Sequence, residues 1–230
     1  MQFPTYKNET EKQALGFLRV AGCDEVGIAP LAGPVVAATV ILDPATIGRQ
    51  RSKSKWWYRV RDSKTTNENE RQDLVAFIQD HCLDLGVGIV GRELIDEINI
   101  HQAAMLAMKR SVDSLRTAPD FLFLDGLHKI KSISLSQQAV VDGDAKILSI
   151  SAASIVAKVA RDRALRNLHE QFPQFGFDKH KGYPTKLHRA AIIECGLTPE
   201  HRTSFGFVQL YLKKMQSVRY FQKAFSLVNL

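Results

Sequence analysis

The chain has 230 residues, 45% hydrophobic and 24% charged, the balance of an ordinary folded protein and not of a disordered one. Thirty-one basic against 24 acidic residues leave a net charge of +7, compatible with a polyanionic partner without requiring one. Three scattered cysteines (Cys23, Cys82, Cys195) argue against a disulfide framework and for a reducing cytoplasm. The longest apolar run, 31–42, contains Gly33 and Pro34 and is too short to span a bilayer; residues 1–13 lack the apolar core of a secretory signal.

In chain order, residues 1–17 read as a polar N-terminal arm, frayed or holding one short helix. Two Val/Ala/Ile-rich stretches, Leu18–Cys23 and Val35–Leu42, read as strands of a buried sheet joined by a Gly/Pro turn. Further strands are expected at Leu85–Val90, Phe121–Leu124 and Ala139–Val141. Between them, Thr65 with Glu68 suggests a capping box opening a helix that buries Leu74, Val75, Ile78 and Cys82. A second helix over about 101–116 carries Met105, Met108, Val112 and Leu115 on one face. The longest helix, about 149–171, begins with small residues that let it lie close on a sheet. The pattern predicts an α/β core over 18–186 with helices on both sheet faces, followed by a helical extension over 187–230.

One stretch stands apart. Gly48–Arg61 holds Arg49, Arg51, Lys53, Lys55, Arg59 and Arg61 with Trp56, Trp57 and Tyr58, and no acidic residue. Two readings stay open: a track for a phosphate backbone with stacking rings, or a solvated loop whose tryptophans tuck onto the surface.

The carboxylates carry the chemistry. Asp24–Glu25, Asp125 and Asp144 follow apolar strands, where an ionised group is costly unless it is paired, solvated or bound to a cation. As a set they fit an oxygen-rich site for Mg²⁺ or Mn²⁺ at a sheet edge. Neighbours on a regular strand face opposite ways, so the strand is expected to end, bend or bulge at Asp24–Glu25, with Gly27 and Pro30 as the means. Asp142 reads as a turn residue.

The stretches CDEVGIAPLAGPVVAATVIL, DSK at Asp62–Lys64, FLDG at Phe123–Gly126, GDAKILSISAASIVAKVARDR from Gly143, HKGYPTKLH from His180 and LTPEHRTSFG at Leu197–Gly206 together resemble ribonuclease HII, the type 2 ribonuclease H family. The resemblance implies an RNase H-like fold, a five-stranded mixed sheet flanked by helices with a small C-terminal helical module. It implies endonucleolytic cleavage of RNA in RNA–DNA hybrids, or at single ribonucleotides in duplex DNA, leaving 3′-hydroxyl and 5′-phosphate ends. The family's four carboxylates carry over to Asp24, Glu25, Asp125 and Asp144, which would hold two divalent cations, Mg²⁺ or Mn²⁺. The tyrosine that stacks on the sugar beside the junction carries over to Tyr183. Lys64, Lys158 and Arg202 are placed near phosphates.

Two positions depart from the family pattern. Gly27-Ile28-Ala29 stands where the family has Gly-Arg-Gly against the ribonucleotide, and Asp142 stands where a basic residue is common. Both bear on substrate affinity and junction recognition and leave the metal ligands intact. A rival reading is a catalytically impaired hybrid-binding protein; another is a general nuclease that also cuts all-DNA duplex, which Tyr183 and its HKGYPT context disfavour. Gln209-Leu210-Tyr211-Leu212 faintly resembles sliding-clamp-binding peptides and otherwise belongs to a C-terminal helix. His180, His188 and Cys195 lack the tight pair of a zinc site, and Cys23 reads as a core residue. The family resemblance further implies a monomer, and the short apolar runs predict no membrane partner.

Overall fold

Four largely apolar segments and one polar edge segment set the sheet. The computed structural model describes residues 3–48, 56–60 and 67–228, with 218–228 by backbone alone. Lys64 and the rest of Asp62–Lys64, Thr65, and Arg49, Arg51, Lys53, Lys55 and Arg61 lie outside the described residues. The strands are β1 (Val20–Val26), β2 (Val35–Leu42), β3 (Cys82–Val90), β4 (Phe121–Asp125) and β5 (Ser136–Val140), in the order β3-β2-β1-β4-β5. The β3-β2-β1 half is antiparallel, and β1-β4-β5 is parallel. The sheet is therefore mixed, as expected. β5 begins at Ser136, earlier than the apolar reading at 139 allowed, because its polar residues serve an edge strand with Ser136 and Gln138 exposed.

The helices are α1 (Lys7–Ala14), α2 (Trp56–Arg59), α3 (Glu68–Asp80), α4 (Arg92–Ile98), α5 (Ile100–Asp113), α6 (Leu148–Gln171), α7 (Phe177–His180), α8 (Lys186–Cys195) and α9 (Gly206–Val228). Strand parity divides the sheet between two pairs of helices. Ala21 and Cys23 of β1, Val35, Ala37 and Ile41 of β2, and Leu122 and Leu124 of β4 form one core with α4 and α5. Ala38, Val40 and Leu42 face α3 and α6. A Cβ on Gly22 would sit 2.3 Å from the backbone nitrogen of Ile150, so β1 and α6 approach as closely as only glycine permits. The small-residue opening of α6 serves this contact.

Several expectations are corrected. α3 is capped by Asn67, whose side chain accepts from the Glu70 amide at 2.8 Å, and Cys82 belongs to β3. The buried face of α5 is Ala103, Ala104, Ala107, Met108 and Ser111; Met105, Val112 and Leu115 are only partly buried, because the close sheet contact selects small side chains. Trp56 is buried against α3 and the sheet, with Trp57 edge-on to it at 6.1 Å, so Trp56 presents no open stacking face. Residues 7–14 take the helical form of the arm, and Glu9 of α1 is fully buried. Its carboxylate accepts from the Ser149 amide at 2.8 Å and caps α6, while burial pushes its pKa up to about 7. A third apolar cluster joins Leu31, Ala32 and Leu165 to Phe175, Phe177, Ile192 of α8 and Val208 of α9. Among the described residues, no helix is long and apolar enough to cross a membrane.

Candidate active site

The carboxyl ends of β1, β4 and β5 meet at one edge of the sheet. β1 and β4 pair in parallel up to Cys23 and Leu124, which sets the next residues, Asp24 and Asp125, side by side. Both leave the sheet on the α6 face, opposite to Cys23 and Leu124. Asp144 lies in the 3₁₀ turn Gly143–Ala145 that leads from β5 into α6. That turn is fastened to the strand, because the Gly143 amide donates to Asp125 Oδ1 at 2.7 Å.

β1 is not interrupted at the acidic pair. Its register with β2 runs without a shift through Asp24↔Ala38 and Glu25↔Ala37 to Val26↔Val36. The expected bulge or bend is absent on that side, since β2 keeps pairing; only the β4 side is released after Cys23. By parity Glu25 starts from the opposite side of the pleat, yet of the three neighbouring acids its charge raises the Asp24 pKa most. Its amide donates to Asp24 Oδ1 at 2.7 Å.

The electrostatics single out Asp24, 5% exposed. Burial pushes its pKa well above the usual carboxylate range, the charges of Glu25, Asp125 and Asp144 push the same way, and a hydrogen bond with Ser154 of α6 opposes them. A buried carboxylate pressed by the charges of three other acids suits a hard cation. Among the described residues, no three His, Cys, Asp or Glu side chains stand close enough together to hold a metal ion as they are. The donor set fits a divalent cation in chemistry, with Asp24, Asp125 and Asp144 on one side.

Beside this edge, the loop after β1 carries Gly27-Ile28-Ala29. Gly27 has φ +101°, and a Cβ there would lie 2.3 Å from Arg161 Nε. Ile28 is half-buried and packs against the α5-side core, and Ala29 is exposed. Two arginines hold the loop from below. Arg202 Nε, Nη1 and Nη2 donate to the carbonyls of Gly33, Ile28 and Gly27 at 3.0, 3.0 and 2.7 Å. Arg161 donates to Pro34, Lys181 and Ala32. Both side chains are fully buried, which lowers their pKa values to about 9 and about 10. The placement of Arg202 at phosphate is thereby corrected: its guanidinium is enclosed and committed to backbone oxygens.

Sequence reasoning missed Arg161, although the signal was present. Ala153, Ala157, Arg161 and Leu165 share one helical stripe, and its other three members are core residues. Lys158 is also committed, donating to the buried Asp162 at 2.6 Å.

Tyr183 sits in the turn between α7 and α8 and is 40% exposed. That turn is bound to the glycine loop, since the Leu31 amide donates to the Gly182 carbonyl at 2.8 Å. The structure thus brings Tyr183 and Gly27–Ala29 onto one frame. Asp142 is an exposed left-handed turn residue with φ 52°, as a turn aspartate can be. Cys23 is buried, and burial pushes its thiol up to about 12, far from a nucleophile's range. Cys195 is exposed, at the end of α8, and Gln209–Leu212 fall in α9 with Leu210 exposed.

Comparison with known proteins agrees with this arrangement. The family model described as "Ribonuclease HII" matches residues 21–208. A ribonuclease HII of Acetivibrio thermocellus is 46% identical over 197 residues, 86% of this chain and 73% of the relative. One from Vibrio cholerae is 47% identical over 194 residues, 84% of this chain and 89% of the relative. The crystal structure of the ribonuclease H2 from Pyrococcus horikoshii superposes with a TM-score of 0.72 at 25% identity, over 86% of this chain and 99% of that one. Carboxylates at one sheet edge, a mixed five-stranded sheet and these matches have one reading: the chain belongs to the ribonuclease HII family.

Proposed function

We propose that the chain hydrolyses the RNA strand of RNA–DNA hybrids, and single ribonucleotides embedded in duplex DNA, leaving 3′-hydroxyl and 5′-phosphate ends. The observation that carries the reading is the crowding of acidic charge around the buried Asp24 at the ends of β1 and β4. Asp24, Asp125 and Asp144, with Glu25, would hold divalent cations, Mg²⁺ or Mn²⁺. Held there, divalent cations would supply the acidification of an attacking water and the neutralisation of the leaving oxyanion.

The chain's own residues supply the rest. The Gly143 amide fixes the Asp125 carboxylate against the turn that carries Asp144, so these two acids keep their spacing. Ser154 orients Asp24 from the α6 side. Tyr183 offers a ring to the ribose at the scissile position, and Gly27-Ile28-Ala29 lines the approach to the 2′-hydroxyl. Lys64 and the basic residues of 48–61 are the remaining candidates for phosphate contact.

The absence of an arginine at Ile28 favours a second reading, a protein that binds hybrid but cuts it poorly. Purified protein incubated with labelled hybrid, with and without Mn²⁺, separates the two. Metal-dependent cutting supports the nuclease; a mobility shift without cutting supports the binder.

A further inference from the structure

Three histidines outside the carboxylate edge form a chain of contacts whose direction is fixed by its ends. His188 of α8 and His201 are both buried, at 0% and 1% exposure. His201 Nδ1 lies 2.9 Å from the Thr198 amide, and an amide can only donate, so this nitrogen accepts. His188 Nδ1 lies 3.0 Å from the Tyr183 carbonyl, and a carbonyl can only accept, so this nitrogen carries the proton. Between them, the two Nε2 atoms are 3.1 Å apart. In neutral rings one solution satisfies all three contacts. His201 donates from Nε2, His188 receives at Nε2 and donates from Nδ1 to Tyr183.

The third ring agrees. His180 Nε2 lies 2.6 Å from the Phe175 carbonyl and donates, while its Nδ1 accepts from the Gly182 amide at 3.2 Å. His180 stacks on His188 with centroids 4.4 Å apart, and Phe177 packs edge-on to both. The Tyr183 amide donates to the His180 carbonyl at 2.9 Å. Both backbone polar groups of Tyr183 are thus held, its carbonyl also accepting from the Thr185 amide at 2.8 Å, while the residue stays exposed.

We propose that His188 and His201 are positioning residues. As a relay of fixed tautomers from Thr198 to Tyr183, they set where the Tyr183 ring stands relative to the scissile ribose. This rests on the reading of Tyr183 as the residue that meets the ribose. A single ribonucleotide offers one register and demands a fixed ring, whereas a continuous hybrid offers many. The relay therefore governs the preference between the two substrates.

The wiring and the function are tested separately. Long-range proton–nitrogen correlation on ¹⁵N-labelled protein at neutral pH should show His188 protonated only at Nδ1 and His201 only at Nε2. The opposite tautomer on either ring overturns the relay. The function is read from kcat/KM on a single-ribonucleotide duplex and on a continuous hybrid. In His188→Gln the amide reaches toward His201 but not Tyr183, and in His188→Asn it stands near the Nδ1 position and keeps the donor to Tyr183. Losing that one bond should lower junction cleavage by about tenfold in the Gln variant and hybrid cleavage far less. The Asn variant should recover most of the loss. A purely packing role predicts the reverse order, because Asn leaves the larger void, and that order would overturn the positioning role. Tyr183→Ala with an unchanged substrate ratio would overturn the Tyr183 reading, and with it the positioning role, while the tautomers still report on the relay itself.

Discussion

The carboxylate edge and the frame beneath Tyr183 are built on opposite terms. At the edge, Asp24 is buried among Glu25, Asp125 and Asp144, and like charges raise its pKa. In the frame, the side-chain nitrogens of Arg161 and Arg202 and both ring nitrogens of His180, His188 and His201 meet oxygen, nitrogen or amide partners inside the protein. Satisfied polar groups make a surface rigid and leave it little to offer a ligand. A crowded carboxylate does the reverse: it stores an unfavourable interaction that a cation relieves. The difference separates the part of the site that binds from the part that aims.

The largest effect is expected from neutralising the edge. Asp125→Asn keeps an oxygen to accept from Gly143, so the fold should survive, while cleavage with Mg²⁺ or Mn²⁺ should fall by more than about 10²-fold. Cleavage at the wild-type rate would remove Asp125 from the site. Asp24→Asn should be inactive yet more stable. The folded pKa of Asp24 lies above its unfolded value, so the group costs stability once the pH exceeds the ordinary carboxylate value of about 4. Neutralising it should raise Tm at pH 7 by about 2–4 °C without metal. A lower Tm would mean that Asp24 is stabilising where it stands.

The frame should respond in the opposite sense. Arg202→Met leaves the carbonyls of Gly27, Ile28 and Gly33 without their donors. Each such charge-assisted bond is worth about 1.5–3 kcal/mol, partly offset by the burial that arginine itself endures, so a net loss near 3 kcal/mol is expected in urea unfolding. Arg202→Lys should not rescue it, because a single ammonium cannot fork to three oxygens. A loss below about 1 kcal/mol would mean that the loop holds itself without the arginine.

Acidification sharpens the contrast further. Burial lowers His188 and His201 to about 4, below the unfolded histidine value of about 6.5. Their neutral forms contribute stability that is complete above about 6.5 and is lost as the pH falls toward about 4. Over the same range the buried carboxylates Asp24 and Glu9 gain protons and contribute the other way. Between pH 6.5 and 4.5 the unfolding free energy of His201→Gln should therefore change more favourably than that of the wild type, and that of Asp24→Asn less favourably. An unchanged slope in His201→Gln would remove that ring from the balance.

The two regions also differ in how far the sequence reveals them. Strand alternation and the acids that interrupt it are local, so β2 is read to its last residue and Asp24, Asp125 and Asp144 stand out as strand-end groups. The frame is joined by contacts across long separations: Arg202 meets Gly27 across 175 residues and Arg161 meets Pro34 across 127. No periodicity records such a bond, and a basic residue in a basic chain suggests phosphate before it suggests a carbonyl. The histidine relay is hidden for the same reason, because His188 and His201 join only once α8 folds back on the 198–202 turn. Glu9 reads as one acid in a polar arm until α6 lies across it.

The smallest effect lies where the two regions touch, at Ile28. Its carbonyl belongs to the frame, held by Arg202, and its side chain is half-buried against the α5-side core instead of offering a cation to a phosphate. A phosphate-facing arginine would add about 1.5–3 kcal/mol of charge-assisted contact, on the order of tenfold or more in affinity. Replacing Ile28 withdraws apolar area from the core, a loss of about 1–2 kcal/mol in stability that leaves the Arg202 bond in place. The double change Ile28→Arg with Ala29→Gly should therefore lower Tm slightly and raise kcat/KM on a single-ribonucleotide duplex by several-fold. The gain on a continuous hybrid should be smaller, since many registers already compete there. Equal gains on both substrates, measured at one salt concentration, would mean that the added charge acts as a general phosphate contact. No gain on either would place junction reading wholly with Tyr183 and the frame that aims it.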